Sequence, residues 1–335
     1  MKKIISLMLV AALVFSVAIA FTGCKNESQV AKVKLCEVTH SIFYAPQYVA
    51  LSEGFFKEEG LEVELSNGQG ADKVMAAVLS GEVDIGFAGP EAAIYVYNEG
   101  KSDYPVVFGQ LTKRDGSFLV GRDKDDDFKW ENLKGKTIIP GRKGGVPRMT
   151  FEYAMRLNDM DPEKDAVLDD SIQFSLMAGA FSGGNADYVA LFEPTASMIE
   201  KENKGYILSS IGQETGEIPY TAYFAKQSYI EENKETVQKF INAVYKGQKW
   251  IMSHSTEEAA NVLLPHFADT DKQILMTVID RYKEIDVWNQ DPVLTKDSFD
   301  RLQNVMTMAG ELSKKADYNA LIDNSFAKKA IENIK

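Results

Sequence analysis

The sequence predicts an α/β protein of two similarly wound lobes, an expectation carried by three observations. From Val33 to Ser210, short β-rich runs alternate with helical patterns at the spacing of βαβ units. Two widely separated stretches echo each other. Gly81-Glu82-Val83-Asp84-Ile85 runs on to Pro90, and Gly184-Asn185-Ala186-Asp187-Tyr188 runs on to Pro194. In each, a helix ends at glycine, an aspartate leads into a short apolar strand, and proline opens the next helix. Beyond Tyr220 the pattern turns helical to the end, which predicts extra helices on the first lobe. A length of 335 residues suits about two domains.

The N-terminus opens Met1-Lys2-Lys3, continues through an apolar run from Ile4 to Ala20, and ends Phe21-Thr22-Gly23-Cys24. This is an export signal, and its small residue before Cys24 resembles the bacterial lipoprotein signal, with Phe21 where leucine is usual. The expectation is a signal peptide over 1–23, lipidation of Cys24 and a tether over 24–31, against the alternative of a short transmembrane anchor. Either way the body is placed outside the cytoplasm. Processing removes two lysines and no acid, leaving 35 basic against 49 acidic side chains and a net charge of −14. So acidic a surface repels phosphate backbones, which argues against nucleic acid as a partner.

Strands are expected at Val33–Val38, Glu62–Leu65, Ile85–Phe87, Val106–Thr112 and Phe118–Gly121, with helices near Pro46–Ser52, Ala71–Ser80 and Glu91–Tyr97. A second alternation follows: strands at Lys136–Pro140, Ile172–Phe174, Tyr188–Leu191 and Tyr206–Ser210, helices at Pro147–Leu157, Leu176–Phe181 and Pro194–Lys204. Tyr220–Ala225 is one more strand. The helical tail shows apolar faces such as Val237, Phe240, Ile241 and Val244. These patterns place one lobe over 32–120 and 222–335 and the other over 124–219. The chain would cross near Gly116–Asp126 and Gly216–Tyr223, forming a two-stranded hinge.

Signatures of catalysis are scarce. Two cysteines and three histidines leave no disulfide framework and no zinc-ligand spacing, and no cofactor is expected. Cys36 reads as a small buried strand residue. Gly141-Arg142-Lys143-Gly144-Gly145 lacks the Lys-Ser/Thr ending of a phosphate loop. Gly68-Gln69-Gly70-Ala71-Asp72-Lys73 carries lysine where a dinucleotide fingerprint has its third glycine. It is either a plain helix entrance or a set of backbone N–H groups facing a ligand.

Candidate binding residues fall at the carboxyl ends of strands, where open α/β sheets hold ligands. Thr39, His40 and Ser41 offer hydrogen bonds; Phe43 and Tyr44 offer flat surfaces, to the core or to the cleft. His40 reads as a hydrogen-bonding or exposed residue rather than a base. Glu91 offsets a helix dipole. Glu193, before its proline, is a candidate to point into the cleft and accept N–H donors from a ligand. Arg142 and Lys143 either meet an anionic group or lie in solvent.

The stretches Phe43-Tyr44-Ala45-Pro46-Gln47-Tyr48-Val49-Ala50 and Glu53-Gly54-Phe55-Phe56-Lys57-Glu58-Glu59-Gly60-Leu61-Glu62-Val63 resemble the first lobe of ABC-importer solute-binding proteins of the nitrate/sulfonate/taurine and thiamine-pyrimidine-precursor class. So do Gly81-Glu82-Val83-Asp84-Ile85-Gly86 and Asn132-Leu133-Lys134-Gly135-Lys136-Thr137-Ile138. The resemblance implies the type II periplasmic-binding fold, with two α/β lobes, a hinge and closure over a small ligand. It implies ligand contacts at Thr39, His40 and Tyr44, at Gly70 and Ala71, at Gly89 and Pro90, and in the loop Gly144, Gly145, Val146 and Pro147. That loop lacks the serine or threonine usual in oxyanion binders, which favours a flat nitrogen heterocycle over a sulfonate. The related pyrimidine-synthesising enzymes carry a cysteine-rich motif that this chain lacks, so no enzyme activity is expected. Implied partners are a small-molecule ligand, an ABC permease with its ATPase, and the membrane through the lipid anchor. A monomer is expected. The alternatives are an exported enzyme or a sensory receptor.

Overall fold

The computed structural model describes residues 30–335. The expected signal peptide, Cys24 and most of the tether lie outside the described residues. Among the described residues no helix is long and apolar enough to cross a membrane.

The first lobe starts with strand β1 (Ala31–Glu37), helix α1 (Ala45–Ser52), β2 (Leu61–Asn67), α2 (Ala71–Ser80), β3 (Ile85–Ala88), α3 (Glu91–Asn98) and β4 (Pro105–Thr112). Apolar periodicity and glycine punctuation explain these bounds. Gly70 stands at the N-cap of α2, and Gly81, left-handed at φ 78°, ends it. The second lobe holds β5 (Ser117–Gly121), β6 (Thr137–Ile139), α4 (Val146–Leu157), β7 (Val167–Leu168), α5 (Met177–Ser182), β8 (Tyr188–Phe192), α6 (Thr195–Lys201), β9 (Tyr206–Ser210) and α7 (Ile211–Thr215). The chain then returns through β10 (Thr221–Lys226). Its main C-terminal helices are α8 (Lys234–Ser253), α9 (Thr256–Leu263), α10 (Lys272–Glu284), α11 (Lys296–Met308) and α12 (Ser325–Asn333).

The two sheets have matching orders, β2-β1-β3-β10-β4 and β7-β6-β8-β5-β9. In each, the fourth strand is antiparallel to the third and is the one the chain enters after crossing between lobes. The echoed segments end in β3 and β8, which hold the same place in the two sheets. The repetition read from sequence is thus a repetition of winding.

Two expectations need correction. The crossings occupy residues 113–116 and 216–220, and β5 pairs with β8 and β9, so residues 117–120 stand in the second sheet rather than the first. Ile172–Phe174 is not a strand; the edge strand is Val167–Leu168, and Ile172 and Phe174 earn their apolar character by packing from a loop onto the second lobe's core.

The crossings lie side by side, with Ile218 N donating to Lys113 O at 2.9 Å and Tyr220 N to Thr112 O at 3.1 Å. The largest core packs the first sheet against α1, α8 and α12, while two smaller clusters cover the faces of the second sheet. Cys36 is a buried free thiol within β1, as expected of a small strand residue.

Candidate functional site

The carboxyl ends of β1, β2 and β3 face those of β6, β7 and β8 across a cavity of about 280 Å³. The first lobe reaches it with Thr39 after β1, Tyr44 before α1, Gln69 to Lys73 at the start of α2, Gly89 after β3, and Glu91 at the start of α3. The second lobe contributes Arg142, Gly145, Val146 and Pro147 at the start of α4, the loop Asp170–Phe174, and Phe192. Tyr220 and Thr221, at the second crossing, form part of the wall. The cavity is therefore walled by both lobes and by the segment that joins them.

Flat apolar surfaces dominate. Tyr44 packs edge-to-face on Phe87 with ring centroids 4.6 Å apart. Burial pushes its phenol far above the usual value, so it meets a ligand as a neutral group. Phe192 and Tyr220, also in the wall, stand 5.9 Å apart. These three rings are suited to hold a planar ligand.

Glu91 is the carboxyl in this wall that is withdrawn from water, at 2% exposure. Burial pushes it up to about 7, against the pull of the backbone N–H groups of Glu91, Val146 and Ala92 and of the Arg142 charge. Its Oε2 is sealed and has no hydrogen-bond partner among the described residues. Behind the wall, Asp115 is fully buried; burial raises it to about 6, opposed by hydrogen bonds from Ser117 and Thr150. Arg142 faces the cavity and reaches Asp72 at 3.7 Å, but both side chains are more than half exposed, so the pair is weak. Lys143 is exposed and is not part of the wall. Arg148 holds Asp170, a wall residue, at 2.9 Å.

Of the residues singled out from sequence, Thr39, Tyr44, Gly70, Ala71, Gly89, Glu91, Arg142, Gly145, Val146 and Pro147 line the cavity. His40, Ser41, Phe43, Pro90, Lys143, Gly144 and Glu193 do not. His40 is locked away from it, its Nδ1 3.1 Å from Glu37 Oε1, its Nε2 2.8 Å from the His266 carbonyl and its ring stacked on Phe267. Ser41 is buried; its hydroxyl accepts from Phe43 N and donates to the Glu193 carbonyl at 2.6 Å. Phe43 is core, packed among Phe192, Tyr220 and Tyr282, as the competing reading held. Pro90 is buried at the entrance of α3, and the Gly144 carbonyl accepts from the Tyr95 hydroxyl at 2.9 Å, a tie between lobes.

Glu193 turns from the cavity. Its carboxylate accepts from Ser197 N and Oγ and pairs with Arg281, so it is not free to accept from a ligand. Of the two acids beside the echoed prolines it is Glu91 that lines the cavity, a residue the sequence marks only as a helix-dipole partner. Its place directly after Pro90, mirroring Glu193 directly before Pro194, was the available signal. The Asp170–Phe174 loop and the Tyr220–Thr221 crossing carried none, because only the closed topology brings them to the site.

Residues 42–258 match the family model described as NMT1/THI5 like. The chain belongs to this family. It is 46% identical over 310 residues to YtlA of Bacillus subtilis (strain 168), a protein named for a binding role, covering 92% of this chain and 93% of that one. It is 25% identical over 239 residues to the formylaminopyrimidine-binding protein of Halalkalibacterium halodurans, 69% of each chain. A relative named for a different role is the 4-amino-5-hydroxymethyl-2-methylpyrimidine phosphate synthase of Aspergillus parasiticus, 28% identical over 226 residues, 63% of this chain and 64% of that one. The NMT1/THI5-like family thus joins proteins named for binding with proteins named for synthesis. The alkanesulfonate-binding protein SsuA of Xanthomonas axonopodis pv. citri, solved with MOPS bound, shares the fold at a TM-score of 0.72 and 12% identity, over 89% of this chain and all of that one. The architecture is the two-lobed type II periplasmic-binding fold.

Proposed function

We propose that this chain is the extracytoplasmic solute-binding component of an ABC importer, capturing a small organic ligand and handing it to a permease without chemical change. The observation that carries this reading is the cavity walled by both lobes and by one of the two crossings. A ligand that touches both lobes binds the shut form better than the open one and so shifts the population toward it. The permease, energised by its ATPase, then reads the shut shape. Cys24 anchors the chain by lipid to the outer face of the cell membrane, and the chain acts as a monomer.

The ligand class we favour is a flat nitrogen heterocycle of the pyrimidine kind, gripped by Tyr44, Phe192 and Tyr220. The formylaminopyrimidine-binding relative supports it. A sulfonate is the second reading, supported by the shared fold of the alkanesulfonate-binding protein and by Arg142 in the wall. Native mass spectrometry of material carried through purification, followed by a thermal-shift series, tests both. A ligand at a hundredfold excess over its dissociation constant adds about 2.7 kcal/mol. If sulfonates alone raise the melting temperature, the heterocycle reading fails; turnover of a bound compound would overturn the transport role in favour of an enzyme.

A further inference from the structure

We infer that His40 is a positioning residue for the cavity wall: gripped as an imidazolium between the Glu37 carboxylate and the His266 carbonyl, it holds its neighbour Thr39 in place. The inference rests on the solute-binding reading above and adds to it a residue that acts on the cavity from outside.

The partners of the ring fix its charge. Nε2 stands 2.8 Å from the His266 carbonyl, which can only accept, so Nε2 carries a proton. Nδ1 stands 3.1 Å from Glu37 Oε1, where a bare lone pair would be repelled, so it carries one too. Glu37 is 1% exposed, and its Oε2 accepts from Gln47 Nε2 at 2.9 Å and from the Tyr48 hydroxyl at 2.7 Å. The Tyr48 oxygen lies 2.9 Å from Nδ1 and gives the ring a second acceptor. Phe267 stacks on the ring with centroids 4.7 Å apart. The titratable groups around His40 are thus Glu37 on β1, Tyr48 on α1 and His266 beyond α9. The Glu37 hydrogen bond raises the His40 pKa against the effect of burial, whereas burial and then the His40 charge lower that of His266.

Thr39 depends on such an anchor. Residues 38–41 lie outside strands and helices, and Thr39 forms no hydrogen bond among the described residues. Its place is set by its neighbours. Val38 N donates to the Phe87 carbonyl and the Val38 carbonyl accepts from Gly70 N, both at 3.0 Å, while Ser41 is bonded to the Glu193 carbonyl across the lobes. His40 ties the same turn to a carbonyl 226 positions further along the chain. Of these anchors His40 is the one that titrates, and its side chain, 42% exposed, is within reach of solvent protons. When the ring loses its Nδ1 proton, the Tyr48 hydroxyl can satisfy Nδ1 or Glu37 but not both, which leaves a lone pair or a carboxylate oxygen short of a donor. The grip is therefore present below the unfolded value of His40 and lost as pH rises through the raised folded one.

The test is nuclear magnetic resonance of the full chain in mild detergent, with histidine rings and threonine methyl groups labelled, titrated between about pH 5 and 9. Three histidines give a ring spectrum that is simple to assign, and Thr39→Ser identifies the methyl. In wild type the His40 ring is expected to hold its proton to higher pH than His266, and the Thr39 methyl to shift at the His40 midpoint. His40→Gln, which does not titrate, should abolish that step; His266→Ala, which keeps the backbone carbonyl, should retain it. A melting temperature lowered in His40→Gln with no link between methyl and ring in wild type would assign His40 a structural role alone and overturn the inference. So would a step that survives in His40→Gln, or a His40 ring that loses its proton before His266. No ligand enters the titration, so the solute-binding reading stands or falls separately, on the compound carried through purification.

Discussion

Arg281 on α10 pairs with the carboxylate of Glu193 at the end of β8, tying a C-terminal helix of one lobe to the sheet of the other. Glu193 is 1% exposed; burial raises its pKa, and the Arg281 charge and the Ser197 hydrogen bonds oppose that rise. Removing the cation strands a buried carboxylate. Arg281→Ala is therefore expected to cost about 3 kcal/mol in urea unfolding, and the double variant Arg281→Met, Glu193→Gln to recover much of it. A single variant as stable as wild type would contradict this account.

Helices α1 and α8 touch at Gly247, where an added Cβ would run into the Pro46 carbonyl. In an open helix, glycine to alanine stabilises by about 1 kcal/mol. Overpacking reverses the sign here, and Gly247→Ala should lower stability by about 2 kcal/mol, seen as a reduced urea midpoint. An increase would mean that the helices separate freely.

Stability without ligand should fall as pH rises from about 5 to 8. Glu91 and Asp115 ionise near 4 when unfolded but are pushed up to about 7 and about 6 by burial in the fold. Between those values the folded chain binds more protons than the unfolded one, so raising the pH favours unfolding. His40, raised mainly by its hydrogen bond to Glu37, adds the same sign: its contribution is present below its unfolded value and lost as pH passes the folded one. Calorimetry at pH 5 and pH 8 checks this, with a smaller difference expected in Glu91→Gln. A flat profile in wild type would refute it.

The first crossing is fastened to α4 by Thr150, whose hydroxyl donates to Asp115 Oδ2, while Asp115 Oδ1 accepts from Ser117 N at 2.7 Å and Ser117 Oγ at 2.6 Å. Thr150→Val keeps the volume and deletes one donor to a buried carboxyl. A loss of about 1–3 kcal/mol is expected in denaturant unfolding. Thr150→Ser, which retains the hydroxyl, should lose less; a Thr150→Val variant as stable as wild type would contradict this account.

Much of the fold was legible because its signals are local. Strand and helix periods, the glycine that ends α2, and the prolines that open α3 and α6 are written within a few residues of where they act. The echoed segments even located matching strands in two sheets. By itself, then, the sequence determined two wound α/β lobes, helices added at the end, and the strand ends among which a ligand would sit.

Only the tertiary structure decided which sheet β5 joins, because a short strand buried on both faces reads the same whichever partners it takes, and pairing is non-local. Only it decided the direction of loop side chains. Thr39 and His40 are neighbours, yet one lines the cavity and the other is drawn to Glu37 and the His266 carbonyl, more than two hundred residues on. Glu91 and Glu193 flank equivalent prolines, but Arg281 claims Glu193 and leaves Glu91 to face the cavity. A carboxyl's role follows from which charges and donors reach it, and those arrive from parts of the chain that sequence spacing cannot place.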